Sequence, residues 1–319
     1  MIAAYAAELG LPDPFDGLVV GERPEPRPPT GWVVATVEAA SVNPHDLSTL
    51  RGVIGSPFEP PVILGCDGAG YGPDGTPVVF WPVLSAPRDG FRMLTDGIDG
   101  TFAPRIALPA ESLVEKPANL SFEEAAGLGV AWLTAWRMLF TKAKVRRGER
   151  VLVQGASGGV ATAAIILARA AGADVTVTSR REEARAQALR LGASCAVPAG
   201  ARLPERVDVA LETVGEATWG HTLRSLEPEG RIVVAGAISG GDPPAGLLRV
   251  AIREFTVMGS MMGTRDEFAE LCRFVEEHDL HPPVSAVFDG VEQVPDALRA
   301  LEAGGALGKI VVRIRTRPS

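Results

Sequence analysis

Only three cysteines, Cys66, Cys195 and Cys272, occur in 319 residues, an odd number with no paired spacing. A disulfide framework is excluded, and reduced thiols in a cytoplasm are the expected state. No basic run or basic helix interrupts a chain of net charge −8 and pI near 5.2, which argues against nucleic acid or an anionic membrane as a partner. No apolar run reaches the ~20 residues of a membrane span. The most apolar segment, Gly158 to Gly172, is broken by Arg169. Met1 to Leu11 carries Glu8 and no Lys or Arg, so it does not read as a secretory signal. Tyrosine is nearly absent, so a phenolic proton donor has two candidates, Tyr5 and Tyr71.

What is present is organised around Val151-Leu-Val-Gln-Gly-Ala-Ser-Gly-Gly-Val-Ala161. Val151 to Val153 reads as a strand buried on both faces, and Val160, Ala163, Ala164, Leu167, Ala168 and Ala171 recur at helical spacing until Gly172 stops the helix. Between them Gly155 permits a tight turn, Gly158 lets backbone approach a pyrophosphate, and Ala161 is the small residue needed where helix meets strand. The helix N-terminus then offers free N–H groups and partial positive charge to phosphates. In a chain with 36 glycines this pattern alone is weak. The order of elements strengthens it, with further strands predicted at Val175 to Thr178, Val207 to Leu211, Arg231 to Ala235 and Phe255 to Met258 and helical stretches between them, as a parallel sheet requires.

The length predicts two domains. Residues before about 116 are rich in proline and glycine and read as a β-rich, barrel-like unit, with strands at Ile2 to Ala6 and Trp32 to Ala39. The latter delivers the chain to Ser41-Val-Asn-Pro-His-Asp46, a polar cluster at a strand end, where sites commonly lie. Pro73-Asp-Gly75 marks a hairpin before Thr76 to Trp81, and Leu84 to Gly100 lacks periodicity and reads as a loop, either mobile or ordered. Ser121 is expected to cap a helix running toward Thr134. Helices are predicted at Asp266 to Glu277 and Val294 to Leu301, before a strand at Lys309 to Ile314 that returns to the first domain.

These stretches together carry a likeness. Ala39-Ala-Ser-Val-Asn-Pro-His-Asp46, Leu64-Gly-Cys-Asp-Gly-Ala-Gly70, Gly100-Thr-Phe-Ala103, Leu133-Thr-Ala135, Gly155 to Ala161, Leu191-Gly-Ala193, Glu229 to Gly236 and Gly308-Lys-Ile-Val311 stand in one order. The chain resembles the medium-chain dehydrogenase/reductase superfamily, in its zinc-free, quinone-oxidoreductase-like branch. The resemblance implies an α/β chain: a GroES-like β-rich catalytic domain (1–118 and 263–319) split around a Rossmann domain (119–262). It also implies NAD(P)H in the cleft between them and a homodimer. It places Asn43 and Thr134 against the nicotinamide end, and Gly155, Ala156, Ser157, Gly158, Gly159, Val160 and Gly236 along the cofactor. In zinc-containing relatives a cysteine stands where Asn43 is, a histidine where Cys66 is and a second cysteine near Val130, and the four-cysteine structural lobe is missing here. No metal is expected, and Cys66 reads as a small buried residue.

The implied chemistry is hydride transfer from NADPH to a quinone or α,β-unsaturated carbonyl. Alternatives are an enoyl-thioester reductase of a biosynthetic pathway, or a cofactor-binding sensor without turnover. Asn43, Asp46 and Tyr71 are the catalytic candidates, with His45, Ser48 and Thr49 as other possible proton donors. Asp46 fits best as a residue orienting the loop, and a His45–Asp46 relay is disfavoured because strand neighbours face opposite sides. Mitochondrial-type enoyl reductases place a tyrosine donor where this chain has Ile54. NADPH over NADH follows from Ser179 and Arg180, which stand where NAD-selective folds carry a carboxylate for the ribose 2′-OH.

Overall fold

The computed structural model describes residues 1–53, 59–85 and 90–314, which form two compact units: Met1–Val130 with the chain from Thr264 onward, and Ala131–Gly263. The seam lies at Val130 rather than at 118 because the helix that follows Ser121 packs on the first unit's strands.

In the first unit the chain runs β1 (Ile2–Ala6), β2 (Leu18–Glu22), β3 (Trp32–Ser41), α1 (Pro44–Leu50), β4 (Val62–Ile63), β5 (Gly68–Tyr71), β6 (Pro77–Phe80), β7 (Val83–Ser85), β8 (Arg92–Met93), β9 (Arg105–Pro109), β10 (Leu113–Glu115) and α2 (Phe122–Ala125). The spine is β3, whose Ala35, Val37 and Ala39 alternate into the core and whose edges pair antiparallel with β5 and β9. Strand β5 approaches so closely that a Cβ on Gly70 would lie 1.9 Å from the Thr36 carbonyl oxygen, which explains a glycine-rich strand there. Ser121 caps α2 as the sequence predicts. Its Oγ accepts from the Glu124 N–H at 3.2 Å, and the Glu124 carboxylate accepts from the Ser121 N–H at 2.9 Å.

Two expectations change. The chain turns at Asn43 directly into α1, so His45 and Asp46 are helix residues, and the argument from strand alternation does not apply to them. The described part of Leu84 to Gly100 is tied down: β8 pairs with β7, Asp96 accepts from the Met93 N–H and Asp99 from the Ile63 N–H, both at 2.9 Å. Ile54 and residues 86–89 lie outside the described residues.

The second unit contains α3 (Leu133–Trp136) between wide π-type turns at Leu128–Trp132 and Arg137–Lys142. It continues as β11 (Arg150–Gln154), α4 (Gly159–Ala170), β12 (Asp174–Ser179), α5 (Glu182–Arg190), β13 (Cys195–Pro198), β14 (Val207–Glu212), α6 (Glu216–Ser225), β15 (Leu226–Val234), α7 (Leu247–Ile252) and β16 (Thr256–Gly259). Its six strands are parallel in the order β13-β12-β11-β14-β15-β16, a Rossmann sheet whose winding reverses between β11 and β14. Ligands of such sheets bind at the carboxyl ends of the strands near that reversal. Helix α4 buries Leu167 together with Ala161, Ala163, Ala164 and Ala168, small residues that bring it close to the sheet, and Leu152, Ala210, Ile232 and Phe255 fill one core face.

The tail, α8 (Arg265–Glu277), β17 (Val284–Asp289), α9 (Val294–Ala303) and β18 (Lys309–Arg313), completes the first unit, since β18 lies between β17 and β3. The fold is therefore the α/β arrangement anticipated, a β-rich unit split around a Rossmann unit. Among the described residues no helix is long and apolar enough to cross a membrane.

Candidate functional site

In the second unit the turn after β11 is shaped for an anion. Gly155 sits at φ +88°, a region that favours glycine, and Gly158 precedes α4 with no side chain capping the helix. The first hydrogen bond of α4 runs from the Thr162 N–H to the Gly158 carbonyl, which leaves the N–H groups of Gly159, Val160 and Ala161 for a ligand. A Cβ built on Gly158 would meet nothing within 4 Å. Ala156 is buried while Ser157, Gly159 and Val160 are half-buried, so the loop presents mainly backbone. These residues fit a pyrophosphate.

At the end of β12 the Ser179 hydroxyl accepts from the Arg181 N–H at 3.2 Å, and Arg185 donates to the Ser179 carbonyl at 2.9 Å. Arg180 is exposed beside them. Sequence reasoning missed Arg185, one helical turn into α5. Gly236 follows β15 beside Thr213, where a Cβ would come within 3.1 Å of a carbonyl oxygen. Thr134 is buried on α3 and donates to the Met262 sulfur at 3.6 Å.

Beneath the loop lies a buried polar network that sequence reasoning also missed. Gln154 donates to His221 Nδ1 and to the Thr222 hydroxyl, both at 2.9 Å, and accepts from Thr178 at 2.6 Å. Glu212 accepts from Thr222 and Thr218 and from the backbone of Val214 and Gly215. Polar residues closing three apolar strand runs, Gln154, Thr178 and Glu212, were its sequence signal. Fully satisfied, such a network fixes the loops at the carboxyl end of the sheet.

In the first unit Ser41, Asn43, Asp46, Cys66, Asp67 and Lys309 come together, all buried. Asp46 Oδ2 accepts from the Asn43 N–H at 2.8 Å and Oδ1 from the Gly65 N–H at 2.9 Å, so the carboxylate clamps two backbone segments, the loop-orienting arrangement. Asp67 Oδ1 accepts from the Ser41 hydroxyl at 2.6 Å and from the Asn43 amide at 3.0 Å. The Asn43 amide also donates to the Ser41 carbonyl at 3.1 Å, and its Oδ1 accepts from the Lys309 ammonium at 2.6 Å. That ammonium also donates to the Val42 carbonyl at 3.0 Å and lies 3.9 Å from Asp67 Oδ2. Asn43 therefore has both amide hydrogens engaged inside the protein. Lys309 stands in one of the matching motifs, but nothing local in the sequence assigns it this partner.

Burial pushes the Asp46 carboxyl up to about 6 from an ordinary 3.8, against the pull of the two backbone donors. Burial also raises Asp67, with Lys309, Ser41 and Asn43 opposing, and holds the Cys66 thiol well above its usual range. A carboxyl raised in the folded state contributes stability that is full below about pH 4 and lost as pH rises through 6. The parent should therefore lose about 2 kcal/mol relative to Asp46→Asn between pH 4 and 7. Urea unfolding of both proteins across that range checks this, and a parent that gains on the variant with rising pH would contradict it.

The proton-donor candidates separate. His45 Nε2 lies 3.1 Å from Asp96, not on Asp46, with its side chain 21% exposed. Thr49 is committed to the His45 carbonyl at 3.0 Å. Tyr71 ends β5 and stacks edge-on against Phe122 at 5.0 Å, four residues and about 13 Å along the strand from Asp67. The structure does not bring Tyr71 to the cluster, and His45 and Ser48 are partly exposed residues of α1.

A catalytic zinc needs three protein ligands. Asn43 and Val130 offer no thiolate, Cys66 is held as a neutral thiol, and a lysine ammonium is bonded to Asn43. Among the described residues no group of three His, Cys, Asp or Glu side chains could hold a metal ion. These residues do not fit zinc.

Comparison with known proteins gives a consistent pattern. Residues 159–277 match the family model described as zinc-binding dehydrogenase. A zinc-type alcohol dehydrogenase-like protein of Schizosaccharomyces pombe is 33% identical, over 89% of this chain and 91% of the relative. An acryloyl-coenzyme A reductase of Sulfurisphaera tokodaii is 26% identical, over 95% of this chain and 98% of the relative. The crystal structure of an NAD-dependent alcohol dehydrogenase superposes with a TM-score of 0.90 at 31% identity, covering 99% of this chain and 100% of that one.

Proposed function

Because the chain belongs to the medium-chain dehydrogenase/reductase superfamily and is an oxidoreductase of that type with a nicotinamide cofactor, we propose that it uses NADPH, without zinc, to reduce a quinone or an α,β-unsaturated carbonyl. The observation that carries the reading is the Lys309 ammonium bonded to Asn43 beside a neutral Cys66, at the positions where zinc-containing relatives bind their metal. An alcohol–carbonyl interconversion concentrates charge on one oxygen, for which a Lewis acid is the usual partner. A conjugated acceptor takes hydride at carbon and spreads the charge, so proton donation from a side chain or water suffices. The cofactor supplies the hydride; the chain's own work is to hold it, orient it and exclude water. His45 and Ser48 are the proposed donors to the acceptor oxygen.

The acryloyl-coenzyme A reductase among the relatives favours, as a second reading within this chemistry, an enoyl thioester as the acceptor. Chelator-dialysed protein assayed with NADPH against naphthoquinones, 2-alkenals, enoyl thioesters and simple ketones separates these. Turnover of a conjugated acceptor supports the proposal, and its subclass identifies the substrate. Zinc-dependent oxidation of alcohols would overturn it, and cofactor binding without turnover would favour a sensor.

NADPH preference is supported by Ser179 and the exposed Arg180, with Arg185 holding the Ser179 carbonyl in place. A charge-assisted contact to the 2′-phosphate contributes roughly 1.5–3 kcal/mol, so Arg180→Ala should weaken NADPH binding about 10- to 150-fold and leave NADH almost unchanged. Equal losses for both cofactors in fluorescence titration would show that Arg180 does not read the phosphate.

The proposed assembly is a homodimer, in a cytoplasm that keeps the three free cysteines reduced. Strand β16 is an open sheet edge with Val257 exposed, and α7 exposes Leu247, Leu248 and Ile252. Sedimentation velocity at micromolar concentration should give a dimer, and Leu248→Glu should shift it toward monomer.

A further inference from the structure

A cavity of about 440 Å³ opens in the second unit between the loop following β13, α6 and α7. That volume lies within the range of small-ligand sites. Arg202, Arg206, Arg224 and Arg249 line it, contributed by the loop and by both helices, with His221 and Ser225 as buried wall residues. Among the described residues none of the four guanidiniums lies within ion-pair distance of a carboxylate. The acidic residue on the wall, Glu205, is engaged by Arg150 at 3.0 Å. In a chain with 39 acidic and 31 basic residues, four such cations around one opening are a concentration of charge that the protein does not neutralise itself.

The buried polar groups of the wall are already satisfied. His221 Nε2 lies 2.8 Å from the Ala201 carbonyl and Nδ1 lies 2.9 Å from the Gln154 amide nitrogen, so both ring nitrogens are engaged. Ser225 donates to the His221 carbonyl at 2.9 Å. Arg206 donates through Nη1 to the Leu226 carbonyl at 3.2 Å. The capacity left is therefore cationic, and it resides chiefly in the Arg202, Arg224 and Arg249 forks, which match phosphate oxygens two at a time. The cavity shares no residue with Gly155 to Val160 or with Ser179 and Arg180, so it is not the cofactor's phosphate site. We propose that this cavity binds a phosphorylated small molecule. Its wall touches the phosphate loop through His221 and Gln154, the residue before Gly155.

The test is calorimetric titration of the full-length Gly158→Val protein, whose cofactor phosphate site is blocked by design, with pyrophosphate, ribose 5-phosphate and acetate. Saturable binding of either phosphate compound, absent for acetate and weakened tenfold or more in Arg224→Ala and in Arg249→Ala, is the expected result. A preference for pyrophosphate points to an inorganic ligand, and a preference for ribose 5-phosphate to a phosphoester. Both arginines are exposed, and unchanged circular dichroism would confirm that the variants fold. No saturable binding at millimolar phosphate compound, or equal affinity in the Arg224→Ala/Arg249→Ala double variant, overturns the proposal. Neither outcome bears on the reductase reading, because the titration contains no cofactor or acceptor.

Discussion

Lys309→Met should destabilise the first unit by about 3–5 kcal/mol, the usual cost of removing one partner from a buried charged pair. The ammonium is 5% exposed and donates to Asn43 Oδ1 and the Val42 carbonyl, with Asp67, 0% exposed, at 3.9 Å. Methionine fills similar space but leaves an amide oxygen and a carboxylate without their cation. Lys309 holds the Asp67 carboxyl down against the upward push of burial, so its loss should raise that carboxyl further. A folded-state value raised above the unfolded one means that stability returns as pH falls through it, so the deficit should shrink in acid. Adding Asp67→Asn should recover part of the loss at neutral pH by removing the uncompensated charge. Urea unfolding of the single and double variants reads all three effects. A loss below 1 kcal/mol would show that the ammonium is not the partner holding this cluster together.

Gly158→Val should abolish tight cofactor binding while leaving the protein folded. The two halves of that result rest on separate observations. A Cβ at Gly158 meets no atom within 4 Å, and its φ of −70° is one any residue adopts, so valine neither clashes nor strains the backbone. The same open space is where a pyrophosphate would approach the N–H groups of the first turn of α4. Blocking two charge-assisted bonds at roughly 1.5–3 kcal/mol each weakens binding a hundredfold or more. Gly155→Val is the contrasting variant, since at φ +88° its cost falls on the fold. Fluorescence titration with NADPH alongside a melting curve separates them. Parent-like affinity in Gly158→Val would place the phosphates elsewhere.

The loop Gly155 to Ala161, the helix cap at Ser121 and the βα alternation that gives a Rossmann sheet are local signals, each carried by residues within one or two turns of one another, and they were legible in the sequence. So was the lack of a thiolate at Asn43 and of an imidazole at Cys66, which needs only the identity of the two residues. The Lys309–Asn43 contact was not, because it spans 266 residues and depends on how two strands register. Val311 lies opposite Ser41 in the antiparallel pairing of β18 with β3, and two residues back on one strand and two onward from the other bring Lys309 to Asn43. Hydrophobic alternation fixes which face of a strand is buried but leaves open which residue of a distant strand lies opposite. The same reason hid the joining of Gln154, Thr178 and Glu212 across three parallel strands, and the gathering of four arginines from a loop and two helices around one cavity. Tertiary structure alone also decided that His45 pairs with Asp96 and that Tyr71 stands away from the cluster, since chain direction after Asn43 and at the end of β5 is set by packing against other elements rather than by the residues themselves.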